Sequence, residues 1–190
     1  MRLVLIGLLF AALLSALACG HAWERYDGED PEGDDDGAGD DADDDDADEG
    51  EKIQDFTWTT VDGEDLVLYD YEGYVIALNV GAGWCPGCKE ETPVLENTFW
   101  NAYKDEEFVV IQLLTEDTSG NEADLEFAAQ WRDEYGVTFP LCIDPDWSLE
   151  PYFLKNSLPF TLLVDRGLTI RARFHGFDED IFKALVEDLL

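Results

Sequence analysis

Two near-continuous apolar runs constrain the fold of this chain more than any other feature of its sequence. They are "YVIALNV" (Tyr74–Val80) and "FVVIQLL" (Phe108–Leu114), and each has the length of one strand. A strand that is apolar throughout is covered on both faces, as in parallel sheets. Between the runs, these residues recur at helical spacing: Val94, Leu95, Thr98, Phe99 and Ala102. The sequence therefore predicts a β-α-β unit with a right-handed crossover.

Shorter patterns extend this prediction on both sides of the unit. "FTWTT" and "LVLYD" flank an Asp-Gly turn and predict a hairpin before the first run. After the second run, Phe127, Ala128, Trp131 and Tyr135 predict a helix. Gly136 follows them and is typical of a helix end.

The C-terminal part predicts three further strands and one more helix. The strands are expected at Leu141–Ile143, Phe160–Val164 and Leu168–Phe174, and the helix is expected to begin at Asp178. The apolar stripe of that helix is predicted to contain Ile181, Leu185 and Leu189. The whole pattern predicts an α/β fold, a three-layer α/β/α sandwich with a mixed central sheet and an N-terminal β-hairpin extension.

Residues 1–18, "MRLVLIGLLFAALLSALA", combine one positive charge with an uninterrupted apolar run. The run is shorter than the ~20 apolar residues of a spanning helix and is typical of a secretory signal peptide. The segment "LSALAC" resembles a bacterial lipobox, which implies that Cys19 carries a lipid at the mature N-terminus. Ordinary cleavage before Cys19 is the alternative. Both readings predict export to a compartment that tolerates disulfides.

Residues 19–52 are rich in Asp, Glu, Gly and Ala, and they predict a disordered acidic linker. The domain is then expected to span residues 53–190. The net charge of the whole chain is −34, and the predicted domain is acidic as well. Such a surface repels nucleic acid, so we exclude nucleic-acid binding.

The stretch "GWCPGC" contains two of the four cysteines, Cys85 and Cys88, directly after the first apolar run. A structural zinc site needs four ligands, and Cys142 and His175 form no second pair, so we predict no metal and no other cofactor. A disulfide across two residues closes too short a loop to stabilise the fold greatly. The start of a helix instead favours a reactive thiolate, because unpaired backbone N–H groups stabilise an anion there.

The segments "NVGAGWCPGCKEETP", "FPLCIDPD" and "SLPFTLLVD" resemble those of the TlpA-like and redoxin-like thiol–disulfide oxidoreductases. The resemblance extends over most of Asp55–Leu190 and implies a thioredoxin fold. It implies that Cys85 is an exposed nucleophile that attacks a disulfide of a partner protein. Cys88, one helical turn deeper, would then resolve the mixed disulfide.

The resemblance also assigns roles to neighbouring residues. Trp84 would shape one side of the site. Leu158 and Pro159 would present backbone to an extended substrate segment, with Pro159 as a cis-proline opposite the dithiol. Glu91 matches a buried glutamate that assists proton transfer in some members, and a solvated carboxylate near the helix start is the alternative. Pro93 would kink the helix.

Two features, at Gly81 and at Pro86-Gly87, depart from the pattern of the family, and Asn79 differs from cytosolic thioredoxins. Gly81 replaces a common aromatic residue, which implies a more open site, and Asn79 replaces the buried aspartate of cytosolic thioredoxins. The dipeptide Pro86-Gly87 between the cysteines leaves both directions of electron flow open. Cys142 is expected to be a small core residue.

The leading hypothesis is a bacterial lipoprotein, anchored through Cys19 and facing the periplasm or the cell surface. It would exchange disulfides with partner proteins, including protein substrates and a redox partner. A peroxiredoxin-like thiol peroxidase is a second hypothesis, although Ala82 replaces the threonine usual in that family. A non-catalytic binding lipoprotein of the thioredoxin fold is the third.

Overall fold

Seven strands form a single mixed sheet in the part of the chain that the structure describes. The structure is a computed structural model, and it describes residues 50–153, 157–176 and 178–190. The predictions for the signal segment 1–18, for Cys19 and for the linker up to residue 49 lie outside the described residues.

The elements follow one another in the order that the sequence predicts. The strands are β1 (Thr57–Thr60), β2 (Asp65–Val67), β3 (Val75–Gly81), β4 (Phe108–Leu114), β5 (Leu141–Ile143), β6 (Phe160–Val164) and β7 (Ile170–His175). The helices are α1 (Pro86–Val94), α2 (Asn101–Tyr103), α3 (Leu125–Tyr135) and α4 (Glu179–Leu189). A π-helical segment, Leu95–Trp100, joins α1 to α2, and short 3-10 helices span Leu68–Tyr71 and Glu150–Tyr152.

The sheet order is β2-β1-β5-β4-β3-β6-β7. The central strands β3, β4 and β5 run parallel to one another, whereas β6 pairs antiparallel with both β3 and β7. The hairpin of β1 and β2 joins the sheet through an antiparallel pairing of β1 with β5. The predicted mixed sheet with an N-terminal hairpin is therefore confirmed.

The longer helices pack on one face of the sheet. The buried cluster on that face takes alternate strand residues and residues from each helical region: Val75, Ala77, Phe108, Val110, Leu95, Phe99, Ala128, Trp131, Phe182 and Val186. The crossovers from β3 to β4 and from β4 to β5 step the same way across the sheet. Right-handed connections therefore place α1 and α3 on the same face.

Among the described residues, 3-10 helices and extended segments cover the other face, where we expected a layer of α-helices. The strand residues on this face include Ile76, Leu78, Val109 and Ile111. They share a second buried cluster with residues of the connecting segments: Ile53, Leu68, Trp147, Leu149 and Phe153. Sequence periodicity cannot show this difference, because both kinds of cover are apolar.

The apolar stripe predicted for α4 is wrong by one residue. Phe182 and Val186 are fully buried, whereas Ile181 is 57% exposed, and Leu185 and Leu189 are only partly buried. Phe182 packs edge-on against Phe99 with 4.8 Å between the ring centres. The helix is rotated so that its aromatic side chain fills the core, since that position buries the larger apolar surface.

The described chain begins against the edge strand β7. The backbone N–H of Ile170 donates to Glu51 O at 2.9 Å, and Lys52 forms a single antiparallel bridge with Thr169. The Glu51 carboxylate accepts from Arg173 at 2.7 Å. Among the described residues, no helix has the length and apolar character needed to cross a membrane.

Candidate active site

The cysteine pair lies where the central strand β3 meets α1. Cys85 and Cys88 form a disulfide, and Cys85 is the N-cap residue of the helix. Its Sγ atom accepts a hydrogen bond from the backbone N–H of Cys88 at 3.1 Å. Pro86 occupies the first helical turn, where its missing N–H costs nothing. The predicted location at a helix start is confirmed, and it places a sulfur among donors that stabilise negative charge.

Both cysteines are almost completely covered in this disulfide form. Cys85 is 2% exposed and Cys88 is 1% exposed, so the expectation of an exposed nucleophile differs from the structure. The expectation of a more open site at Gly81 also fails. A Cβ atom added at Gly81 would lie 3.3 Å from Cys88 Cβ, so the cysteine already fills that space.

Pro159 faces the helix start from the loop before β6. The Leu158–Pro159 peptide bond is cis, the conformation that the family resemblance implies. A Cβ atom added at Gly87 would lie 3.0 Å from Pro159 Cδ, which measures how closely the proline approaches the dipeptide between the cysteines. Leu158 is half-buried and packs against both core clusters. The structure thus brings Pro159 to the dipeptide between the cysteines, with Leu158 directly before it in the chain.

A groove of about 300 Å³ opens beside this contact. It is lined by Gly87, Glu90, Glu91, Val94, Pro159, Gly176 and Glu179. The groove joins α1, the loop before β6 and the start of α4. Its three carboxylates give it a negative lining next to the redox pair.

Trp84 is the most exposed member of the predicted site, at 37%. Its indole N–H donates to Glu116 Oε2 at 2.6 Å, and Glu116 follows β4 in the chain. Glu116 was not among the site residues predicted from the sequence. An acidic residue two positions past a buried strand, at the same sheet edge as the cysteines, was the available signal.

Glu91 is buried, at 9% exposed, which supports the buried reading over a solvated carboxylate. Its Oε1 accepts hydrogen bonds from Asn79 Nδ2 at 2.7 Å and from Thr161 Oγ1 at 3.3 Å. It stands three residues after Cys88 on the same helix, a spacing that makes side chains neighbours. Asn79, at the position of the thioredoxin aspartate, therefore holds a carboxylate instead of supplying one.

Gln112 extends this polar cluster, although this residue was not predicted as part of the site from the sequence. Its Nε2 donates to Asn79 Oδ1 at 2.9 Å and to Thr92 Oγ1 at 2.8 Å. Its Oε1 accepts from the Trp131 indole at 3.1 Å. Thr92 in turn donates to the carbonyl oxygen of Cys88 at 2.8 Å. A glutamine inside an otherwise apolar strand was the signal for such a network.

Pro93 and Cys142, two further residues named in the sequence predictions, lie in a helix and in a strand respectively. Pro93 lies inside α1, and the helix becomes π-helical two residues later. Proline has no backbone N–H, so one hydrogen bond of the α-helical pattern is missing there, which allows the change. Cys142 is fully buried in β5. Burial, with a smaller contribution from Asp144, raises the pKa of its thiol to about 12. Cys142 is therefore a neutral core residue, as expected.

Comparison with known proteins identifies the family of this chain. The model of the AhpC/TSA family matches residues 50–186, which include the whole sheet and the cysteine pair. The chain belongs to the AhpC/TSA family. The redoxin-like resemblance that the motifs indicated is thereby confirmed.

Two similar proteins are named as a thiol-disulfide oxidoreductase and as a thioredoxin-like protein. The thiol-disulfide oxidoreductase ResA of Halalkalibacterium halodurans is 27% identical over 73% of this chain and 75% of its own length. The thioredoxin-like protein YneN of Bacillus subtilis is 32% identical over 62% of this chain and 65% of its own length.

A solved structure shows the fold. The thioredoxin domain of the thiol-disulfide oxidoreductase BVU-2223 from Bacteroides vulgatus superposes with a TM-score of 0.62 at 21% identity, covering 74% of this chain and 97% of that one. The fold of this chain is the thioredoxin fold. With its close cysteine pair and its relatives, the chain is a thiol–disulfide oxidoreductase of that fold.

Proposed function

We propose that this chain exchanges disulfides with partner proteins outside the cytoplasm through the Cys85-Pro86-Gly87-Cys88 pair. One observation carries the proposal: the pair forms a disulfide at the start of α1, directly beside Pro159 and the adjoining groove. A purely structural disulfide of this spacing would stabilise the fold little. At this position, the same pair has backbone donors for a thiolate and a neighbouring surface for a partner segment.

The proposed reaction has two steps, each a thiol–disulfide exchange. The Cys85 thiolate attacks one sulfur of a partner disulfide, forms a new S–S bond with it and expels the other partner sulfur as a thiolate. The Cys88 thiolate then attacks Cys85 Sγ, which closes the internal disulfide and releases the second partner sulfur. Two electrons pass to the partner, and two protons leave the dithiol. Run in reverse, the same steps oxidise a partner dithiol.

The roles of the two cysteines follow from their surroundings. Cys85 Sγ already accepts the Cys88 N–H, and this donor would favour its thiolate in the reduced protein. Cys88 lies against Gly81, at the inner side of the pair. Glu91 lies one turn farther along the helix and would take the proton that Cys88 releases. Trp84, Leu158 and Pro159 would contact the partner segment.

Insulin reduction by the full chain tests this function. We expect the reduced wild-type protein to reduce insulin disulfides, and Cys85→Ser to abolish the reaction. Cys88→Ser should instead accumulate a mixed disulfide through Cys85, since the resolving thiol is gone. Cys142→Ser is the matched control and should retain the wild-type rate. If Cys85→Ser kept the wild-type rate, the proposal would be wrong.

The same variants separate the two other hypotheses. A thiol peroxidase would consume hydrogen peroxide at enzymatic rates through Cys85, and this result would replace our proposal. A non-catalytic binding module would retain partner binding in the Cys85→Ser, Cys88→Ser double variant and show no insulin reduction in any form.

A redox titration against glutathione gives the direction of electron flow. A potential of about −270 mV would make the protein a reductant, and one of about −120 mV an oxidant, by comparison with thioredoxin and DsbA. The Pro86-Gly87 dipeptide is the residue pair to exchange if the direction is to be changed.

We further propose that Cys19 anchors the chain to a bacterial membrane, with residues 19–52 as its linker and residues 53–190 outside the cytoplasm. The support is the apolar run of residues 3–18 that ends directly before Cys19. Labelling with radioactive palmitate in a bacterial host should mark the wild-type protein and not Cys19→Ser. Equal labelling of both proteins would contradict the anchor.

A further inference from the structure

A series of three hydrogen bonds runs beneath α1 from Trp131 to Glu91, and in it each side chain donates to the next one. Trp131 donates to Gln112 Oε1, Gln112 Nε2 donates to Asn79 Oδ1, and Asn79 Nδ2 donates to Glu91 Oε1. The distances are 3.1, 2.9 and 2.7 Å. The four residues come from α3, β4, β3 and α1, and all four are buried. Four separate elements are thus linked by hydrogen bonds that end at the Glu91 carboxylate.

The direction is fixed at the Trp131 end. An indole N–H can only donate, so Gln112 must turn its oxygen toward Trp131 and its NH₂ group toward Asn79 and Thr92. Asn79 must then accept with its oxygen, which leaves its own NH₂ group for Glu91 and Thr161. No buried side-chain nitrogen or oxygen in the described chain lacks a partner, so this arrangement is fully satisfied.

We propose that Trp131 and Gln112 are positioning residues for the dithiol reaction, because they orient the Asn79 amide so that it donates to Glu91. The inference rests on the proposed function, in which Glu91 takes a proton from Cys88. A donor aimed at Oε1 favours the ionised carboxylate, the form that can accept a proton. With both amides reversed, Asn79 would present its oxygen, and the cluster would favour protonated Glu91 instead.

Among the described residues, the other titratable groups near Glu91 are unchanged by substitutions at Trp131, Gln112 and Trp58. Cys88 precedes it by one turn on α1, and Glu90 and Glu179 line the same groove from α1 and α4. His175 of β7 immediately precedes Gly176, which also lines the groove. The contacts from β3 and β6 are the neutral side chains of Asn79 and Thr161.

Titration of Glu91 by ¹³C NMR in the full-length, oxidised protein tests the orientation directly. Oxidised protein is used because the disulfide removes the cysteines from the titration, and Glu91→Gln assigns the signal. Trp131→Phe removes the indole donor and keeps an aromatic ring, and Gln112→Leu removes the whole amide. In each variant we expect the Glu91 midpoint to rise by about one pH unit, the effect of weakening one hydrogen bond to a charged group.

Trp58→Phe is the matched control. Trp58 is a buried tryptophan of β1, and its indole donates to Ser148 Oγ at 2.8 Å. The substitution removes the same kind of bond from a part of the sheet without contact to Glu91. It should lower the unfolding temperature as Trp131→Phe does, and it should leave the Glu91 midpoint unchanged.

The pH dependence of the reaction must shift together with the Glu91 midpoint. The acidic limb of the pH profile of insulin reduction should move upward in Trp131→Phe by the same amount. In a Glu91→Gln background, Trp131→Phe should cause no further change in that profile. An unchanged midpoint in both Trp131→Phe and Gln112→Leu, an equal shift in Trp58→Phe, or a shifted midpoint with an unmoved rate profile would each overturn the inference. Lack of insulin reduction by the wild-type protein would count against the proposed function, whatever the titration shows.

Discussion

Trp84 donates its indole N–H to Glu116 Oε2 over 2.6 Å, and this bond ties the residue before the first cysteine to the chain that follows β4. The indole is held in place at the rim of a nearly covered disulfide. The Glu116 carboxylate also brings a negative charge to the side chain that precedes Cys85 in the chain. We expect Glu116 to act on the pair through both position and charge.

Replacing Glu116 should make Cys85 more reactive. In the reduced protein, we expect Glu116→Ala to accelerate alkylation of Cys85 by iodoacetamide about fivefold, equivalent to ~1 kcal/mol, since it releases Trp84 and removes a repulsive charge. Glu116→Gln keeps an acceptor for the indole and should give a smaller acceleration. Glu122→Ala removes an exposed charge from the same loop, and an equal acceleration there would show that net charge alone is responsible.

Cys142 should stay unreactive while the domain is folded. Because burial raises the pKa of its thiol to about 12, only about one molecule in 10⁴ carries the thiolate at pH 8. Peptide mapping by mass spectrometry after treatment with iodoacetamide should show labelled Cys142 only in urea. Labelling in native buffer at the rate of an exposed thiol would contradict the neutral core assignment.

The turn between β6 and β7 should give a pH-dependent contribution to stability. Burial acts to raise the pKa of Asp165, but hydrogen bonds from the Thr169 backbone, Arg171 and the Gly167 backbone outweigh it and hold the pKa below its usual value. A depressed carboxyl pKa stabilises the fold above the unfolded-state pKa of about 4, and this contribution is lost as the pH falls through the folded-state pKa.

We therefore expect Asp165→Asn to lower the free energy of unfolding at pH 7 by about 1 kcal/mol, and the difference from wild type to shrink at pH 3. Urea unfolding at the two pH values measures it. The exposed Asp105→Asn is the control and should differ little from wild type at either pH. A difference for Asp165→Asn that grows on acidification would refute the assignment.

The orientation of α4 can be tested by a pair of neighbouring substitutions. Phe182 is fully buried and contacts the rings of Phe99 and Phe174, whereas Ile181 is 57% exposed. Phe182→Ala should lower the free energy of unfolding by about 3–5 kcal/mol, and Ile181→Ala by less than about 0.5 kcal/mol. Similar losses at both positions would favour the stripe that the sequence pattern predicted.

The sequence predicts most of the fold because its strands carry unambiguous patterns. Phe108–Leu114, Leu141–Ile143 and Phe160–Val164 have the bounds predicted for them. The stripe of α4 was misplaced because Ile181 and Phe182 are both apolar, and periodicity cannot choose between adjacent apolar positions. The choice depends on Phe99, which is distant in sequence and packs against only one of them.

The part of the site that depends on residues close together in the sequence was predictable. The spacing of the two cysteines and their position at the start of a helix predict their role from local sequence. Pro159 is predicted only through the family resemblance. Gln112 is marked only as a glutamine inside an apolar run, and Trp131 belongs to an ordinary apolar stripe, so neither pattern shows which partner the residue has. Their importance arises from a contact between β4 and α3 that only the folded chain contains.

The coverage of the disulfide has a consequence for selectivity. A disulfide whose two cysteine residues are only 2% and 1% exposed is a poor target for small thiols that diffuse past it, since exchange requires access along the S–S axis. We therefore expect the pair to exchange slowly with low-molecular-weight thiols, so that its titration against glutathione needs long equilibration. Partners that displace Trp84 or engage the groove beside Pro159 would react first, so shape would discriminate among electron donors before redox potential does.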